Sequence, residues 1–388
     1  MIDLFRPYMA PDAAAAVART LAPDADGRIY IGEGPRVAEF EEAFAAFQGA
    51  QGPRPLSVSS CTAALDLAAH LAGIGLGSEV ISTPMTCTAT NGVLVNRGAR
   101  IVWADVDPIT GLIDPQDVAR KITQRTKAIV AVDWAGRSCD YTSLRLAARA
   151  PAVAGSAVLP NDVPIIQDAA HHLMVDLSKP HGDYVCWSFQ AIKHLTTVDG
   201  GMLLVPEAQH TRARLLRWYG LDRESSADFR CSQTITEAGF KYHMNDVAAS
   251  IGLANLPRVA WSILRSRDNA EWYHRAFANL PPNMLAPPPD DTSSWWLYCL
   301  LVDDRAGLIA HLAERGIASS PVHRRNDVHP AFFYPNGPLP GVDAFSEREL
   351  AIPCGYWLTD VVREHIAASV LEWAWAQQST EPLEAVHA

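Results

Sequence analysis

The sequence predicts an α/β protein: a large domain on a mostly parallel sheet, then a smaller α+β domain. Three observations predict it. Short apolar runs alternate with helical stretches from about residue 57 to 205, and most of these runs are too short to be helices. They are bounded by Gly, Pro, Asp or Lys, as buried parallel strands are. Near residue 255 the character changes to a polar, Arg-rich helical stretch and proline loops. Residues 1–255 are therefore assigned to the large domain and 256–388 to the small one.

In order along the chain, Gly34-Pro35 opens a helix with Val37, Phe40, Phe44 and Phe47 on one face, and Gly49 ends it. Ser57-Val58-Ser59-Ser60-Cys61-Thr62 leads into a helix over 63–74. Val80-Ile81, Ile101-Val102-Trp103, 128–132, 163–166, Val185-Cys186-Trp187 and 202–205 read as buried strands. In the second part, a helical stretch over 258–277 precedes Pro281-Pro282 and Pro287-Pro288-Pro289. A strand over 297–302 and a helix over 305–315 stopped by Gly316 follow. A last helix, roughly 359–377, turns Val362, Ile366, Val370 and Trp373 inward, and the tail after Gln378 is expected to be mobile.

Composition removes several function classes. With 32 basic against 43 acidic residues the formal charge is −11, unsuited to nucleic-acid or anionic-lipid binding. Hydrophobic residues make up 48% and charged ones 19%, which excludes general disorder. Seven scattered cysteines without CxxC pairs read as reduced thiols, with no metal site. Neither a signal peptide nor a run of about 18 uncharged apolar residues is visible, so the expected compartment is the cytoplasm.

Two residues point to chemistry. Lys193 lies in a short segment between two apolar strands, with Ser188 upstream and Gly200-Gly201 downstream. A lysine in apolar surroundings has its amine desolvated and its pKa lowered, which suits bonding to a carbonyl carbon. Taken alone it reads more readily as an exposed loop lysine. Asp168 ends the run Val163-Pro164-Ile165-Ile166-Gln167, at the strand edge where open α/β sheets bind ligands. Its alternative is an ordinary helix N-cap.

Further segments place the pair in context: Gly34-Pro35, Ser60-Cys61-Thr62-Ala63-Ala64, Gly77-Ser78-Glu79, Asp105-Val106-Asp107, Asp168-Ala169-Ala170, Ser188-Phe189 with Lys193, 239–246 and Gly316-Ile317. In this order they resemble the DegT/DnrJ/EryC1/StrS family of pyridoxal-phosphate (PLP) sugar aminotransferases, over nearly the whole chain. The resemblance implies PLP fold type I, the aspartate-aminotransferase-like fold, with a seven-stranded sheet. It implies that Lys193 bonds the cofactor aldehyde and shuttles a proton, and that Asp168 faces the pyridine nitrogen. Backbone N–H groups of Cys61 and Thr62, with the Ser188 hydroxyl, would hold the phosphate. Lys241, where Asn is frequent, would reach the phosphate of the neighbouring subunit of a homodimer.

Some positions depart from the family pattern. Cys87 stands where a ring-stacking aromatic is common. His171 replaces a Gln near the cofactor ring or its O3′, Val198-Asp199 replaces Gly-Glu, and Asp133 replaces a His. Two clusters are candidates for substrate. His323 and Arg324, in a donor-rich segment over 322–329, either grip a diphosphate or form a solvated basic loop. Tyr219 and Arg223 either approach the sugar or belong to helix packing.

The reaction implied is amino transfer from L-glutamate (or glutamine) to a nucleotide-linked 4-keto-6-deoxyhexose, with pyridoxamine phosphate as the intermediate carrier form. A 3-keto sugar or a keto-cyclitol is the alternative acceptor. A sugar dehydratase, which resembles this family with His in place of the lysine, and a non-catalytic regulator are the lesser alternatives.

Overall fold

A computed structural model of the chain describes residues 1–378 apart from 33, 51, 53, 150–161, 224–229, 333, 335 and 336. The tail after Gln378, expected to be mobile, lies outside the described residues.

The apolar runs become the strands β1 (Leu56–Val58), β2 (Glu79–Ser82), β3 (Arg100–Trp103), β4 (Thr126–Val132), β5 (Ile165–Asp168), β6 (Tyr184–Ser188) and β7 (Gly201–Leu204). They form one seven-stranded sheet in the order β1-β7-β6-β5-β4-β2-β3. Pairing is parallel from β3 through β2, β4 and β5 to β6, and antiparallel on both sides of β7. The strand expected over 163–166 lies two residues later, so Asp168 is its last residue rather than a cap beyond it. Helix Cys61–Leu71 begins two residues before the expected 63, with Ser60 as its N-cap.

Helix Pro35–Gln48 starts on its proline and ends at Gly49 in the left-handed conformation (φ 62°). Phe40 and Phe44 are fully buried against Trp187 and Phe189 on one side of the sheet. Burying each is worth about 1.5–3 kcal/mol, which ties this helix to the strand that leads to Lys193.

The second part holds a three-stranded antiparallel sheet of β8 (Met284–Leu285), β9 (Tyr298–Val302) and β10 (Glu349–Ile352), with helix Asp360–Gln378 laying Ile366, Val370 and Trp373 into its core. Helix Val259–Ala276 joins the halves: Val259 and Ile263 pack beside the large sheet, Ala270 and Tyr273 beside the small one. We propose the domain boundary at residues 255 and 256, where helix Asp246–Asn255 gives way to a 3-10 turn. Among the described residues the run Asp246–Ala276 is long and apolar enough, by length and composition, to cross a membrane. Part of its apolar surface is buried, Val259 and Ile263 in one core and Ala270 and Tyr273 in the other, while Trp261 and Leu264 are exposed.

Candidate active site

Parallel register brings the C-terminal ends of β4, β5 and β6 together: Val132 lies opposite Asp168, and Asp168 opposite Cys186. Loops leaving this edge supply the chemistry.

The carboxylate of Asp168 is buried and accepts hydrogen bonds from Thr90 Oγ1 (2.7 Å) and the Ala170 N–H (3.1 Å). Burial raises its pKa, while these two donors and Lys193 work against that rise. A second carboxylate braces the same edge. Asp133 accepts from Cys139 N–H, Tyr141 OH and Gln167 Nε2 at 3.0, 2.8 and 2.6 Å, and pairs with His172 Nδ1 at 3.0 Å. The Asp133 N–H bonds the Asp168 carbonyl at 3.0 Å, so this departure from the family pattern supports the strand end that presents Asp168.

Lys193 follows β6 in a turn closed by its N–H to the Gln190 carbonyl (2.9 Å). Its Nζ lies 3.4 Å from the ring centroid of Trp296. Desolvation brings the amine down to about 7, against upward pulls from Asp168, Cys61 and Cys87. The surrounding imidazoles avoid a second cation. Burial pushes His323 down to about 4 and His194 to about 3, and puts His171 well below its ordinary range.

His171 stacks between Trp296 (4.1 Å, 29°) and His323 (5.6 Å, 16°). Its Nδ1 accepts from the Ala135 N–H at 3.3 Å, so the neutral ring carries its proton on Nε2.

The helix Cys61–Leu71 opens beside this group. Ser60 Oγ takes the Ala63 N–H (3.1 Å), which leaves the N–H groups of Cys61 and Thr62 at a helix N-terminus. A Cβ on Gly201 would lie 2.7 Å from the Cys61 nitrogen, so only glycine lets β7 pass this close. Across from Gly201 in register is Ser188, whose Oγ accepts weakly from Gln190 N–H at 3.4 Å. The Cys61 thiol, raised well above its usual range by burial, reaches the Cys186 carbonyl at 3.8 Å. Cys87 is exposed at the N-cap of helix Thr88–Asn96. A buried carboxylate, a desolvated amine and a helix N-terminus meet here, and this set fits a pyridine nitrogen, an aldehyde and a phosphate.

The remaining predicted residues divide. His323 joins the aromatic group, but its neighbours are structural: Asn326 is buried and bonds Asn91, and Arg325 is held by Asp327 and Asp343. Arg324 is exposed. Tyr219 and Arg223 gather with Lys241 around Trp218 instead of Lys193, Arg223 at 4.1 Å and Lys241 at 4.4 Å from its ring. Lys241, Ser60 and Thr62 line one open cavity of about 650 Å³. Val198, where the family pattern has Gly, takes φ 73° on the surface, a conformation a β-branched residue rarely holds. Thr90 and Trp296 carry no local sequence signal, and both touch the site directly.

A model of the DegT/DnrJ/EryC1/StrS aminotransferase family matches residues 13–371. The chain belongs to that family. CalS13, a sugar aminotransferase from Micromonospora echinospora, superposes with a TM-score of 0.87 at 34% identity, over 96% of this chain and 100% of that one. The spore coat polysaccharide biosynthesis protein SpsC of Bacillus subtilis (strain 168) is 32% identical over 346 residues, 84% of this chain and 86% of its own. Spr1654 of Streptococcus pneumoniae, solved in a PLP-form, superposes with a TM-score of 0.84 at 26% identity, over 98% of this chain and 100% of that one. Family and neighbours together make this chain a PLP-dependent sugar aminotransferase of fold type I.

Proposed function

We propose that the enzyme transfers the amino group of L-glutamate, or glutamine, to a nucleotide-linked 4-keto-6-deoxyhexose, acting in the cytoplasm as a homodimer with shared sites. A 3-keto sugar or keto-cyclitol acceptor would use the same residues. The observation that supports the reading most is the pairing of a desolvated Lys193 amine with a buried, hydrogen-bonded Asp168.

Lys193 Nζ would hold the cofactor at its aldehyde and Asp168 at its ring nitrogen. The Cys61 and Thr62 N–H groups and Ser188 would take its phosphate, with Lys241 contributed by the neighbouring subunit. His171 Nε2–H and Cys87 would line the ring, and His323 with Arg324 would meet the sugar nucleotide, as would Tyr219 and Arg223. When bound, PLP supplies an electron sink and carries the amino group, as pyridoxamine phosphate, from donor to acceptor.

This chain's part is proton management. At neutral pH a substantial fraction of Lys193 Nζ has an unshared electron pair, so it can take a proton from the substrate carbon and return it. Asp168, whose carboxylate accepts from Thr90 and Ala170, would face the ring nitrogen, these two donors working against the rise that burial imposes on it. The neutral imidazoles of His171 and His323 add no charge that would oppose these steps.

The test is a visible spectrum of the purified chain with PLP, before and after L-glutamate. The expected result is a lysine-bound PLP band that glutamate discharges with release of 2-oxoglutarate. A band indifferent to both glutamate and glutamine overturns the donor assignment, and no band at all overturns the residue roles.

A further inference from the structure

Trp296 reaches Lys193 through two abutting loops that both hold unfavourable backbone conformations. After β4 the chain turns through Ala135 (φ 57°) and Gly136 (φ 97°), and before β9 it turns through Trp295 (φ 45°). Left-handed φ at Ala and Trp persists only where surrounding contacts over-determine it, and such strain gathers at functional sites.

The contacts are here. The Ser294 N–H and Ser293 Oγ both donate to the Gly136 carbonyl, at 2.8 and 2.9 Å, and the Trp295 N–H donates to Ser293 Oγ at 3.0 Å. A Cβ on Gly136 would stand 3.0 Å from the Trp295 nitrogen and 3.1 Å from that of Trp296, so the loops fit this closely because that side chain is absent. The result fixes the next indole: Trp296 Nε1 donates to the carbonyl of Ile192 at 3.0 Å, one residue before Lys193. Phe5 stacks on the ring at 5.0 Å and His171 at 4.1 Å. The cavity left beside Lys193 and Trp296 is small, about 20 Å³, room for about one water.

We propose that Trp296 is a positioning residue for Lys193: its indole fixes where the amine sits and keeps water from it, and the bonded loops 135–136 and 293–295 hold the indole in place. What Lys193 then does rests on the functional reading above.

Two effects of the ring on the amine have opposite sign. A cation over an indole face is favoured, whereas exclusion of water disfavours the charged form. Burial is the largest influence on Lys193, ahead of Asp168, Cys61 and Cys87, which favour its charge. The imidazoles of His171, His194 and His323 also face it, each held neutral by burial. Removal of the indole therefore admits water and raises the titration midpoint of Lys193.

The experiment uses the full chain before cofactor is added. Acetylation of Lys193 by acetic anhydride is followed against pH by peptide mass spectrometry, so turnover plays no part in the readout. Trp296→Leu should raise the midpoint by about one pH unit or more, and Trp296→Phe should hold it within a few tenths, since a flat apolar ring still covers the amine. Ser293→Ala, which loosens the loop pair without touching the amine, should move the midpoint the same way by less. An unchanged or lowered midpoint in both Trp296→Leu and Ser293→Ala overturns the proposal. Should wild-type chain form no lysine-bound PLP band, the functional reading fails while this titration still decides the role of Trp296.

Discussion

Lys193 and Lys241 each place a side-chain nitrogen over a tryptophan, 3.4 Å from the ring centroid of Trp296 and 4.4 Å from that of Trp218. The contact is the same and the surroundings are opposite. Lys193 is half-buried, with Trp296, His171 and His323 packed about it, and desolvation takes the amine down to about 7. Lys241 is exposed beside a cavity of about 650 Å³, 3.3 Å from His243 Nε2. Its positive charge adds to the burial that lowers His243 to about 4. A cation–π contact is thus a weak predictor of chemistry, and desolvation is the deciding term. One lysine is suited to bond a carbonyl and move protons, the other to meet an anion as a hydrated point charge.

The largest effect that tests this contrast is Lys193→Ala. It should abolish the lysine-bound PLP band and lower turnover by at least ~1,000-fold, since both nucleophile and proton carrier are lost. Near-normal turnover would refute the role of Lys193. Next comes Asp168→Ala, which should still take up PLP but turn over about 100-fold slower or worse, with the charge that faces the ring nitrogen gone. Wild-type rates there would remove Asp168 from the mechanism and leave Thr90 and Ala170 bonding a merely structural carboxylate.

Much of this was legible in the sequence because buried strands announce themselves. Val80-Ile81, Ile101-Val102-Trp103 and Val185-Cys186-Trp187 are apolar on both faces, as strands covered on two sides must be. The seventh strand was harder to see. Leu56–Val58 is three residues long, and its central Ser57 is buried only because Glu41 accepts from its N–H and Oγ, both at 2.8 Å. Lys193 and Asp168 were ambiguous one at a time, since a loop lysine and a strand-end carboxylate are common, and became informative as an ordered set. Trp296 had no such signal. It binds the carbonyl of Ile192, 104 residues earlier, and what brings it there is backbone at Ala135 and Trp295 in conformations their side chains do not favour. The segment 322–329 is only half legible for a related reason: its composition suggests anion binding, but Arg325 is held by Asp327 and Asp343, and Asn326 bonds the Thr86 carbonyl at 2.8 Å, which leaves His323 and Arg324 as its candidates.

Lys241→Met sharpens the comparison from the exposed side, with the smallest expected effect. If Lys241 meets the cofactor phosphate of the neighbouring subunit, its loss should weaken PLP binding by about three- to tenfold at low ionic strength, because a hydrated surface charge contributes modest, screened attraction. Salt should shrink the difference between variant and wild type. The position of the visible band should not move, since Lys193 keeps its own surroundings. Titration of PLP into the two proteins at low and high salt measures all three expectations. A loss as deep as that of Lys193→Ala would mean that exposure does not separate the two lysines. Unchanged affinity at every salt concentration would take Lys241 out of the cofactor site and leave its contacts with Trp218, Tyr219 and His243 as local packing.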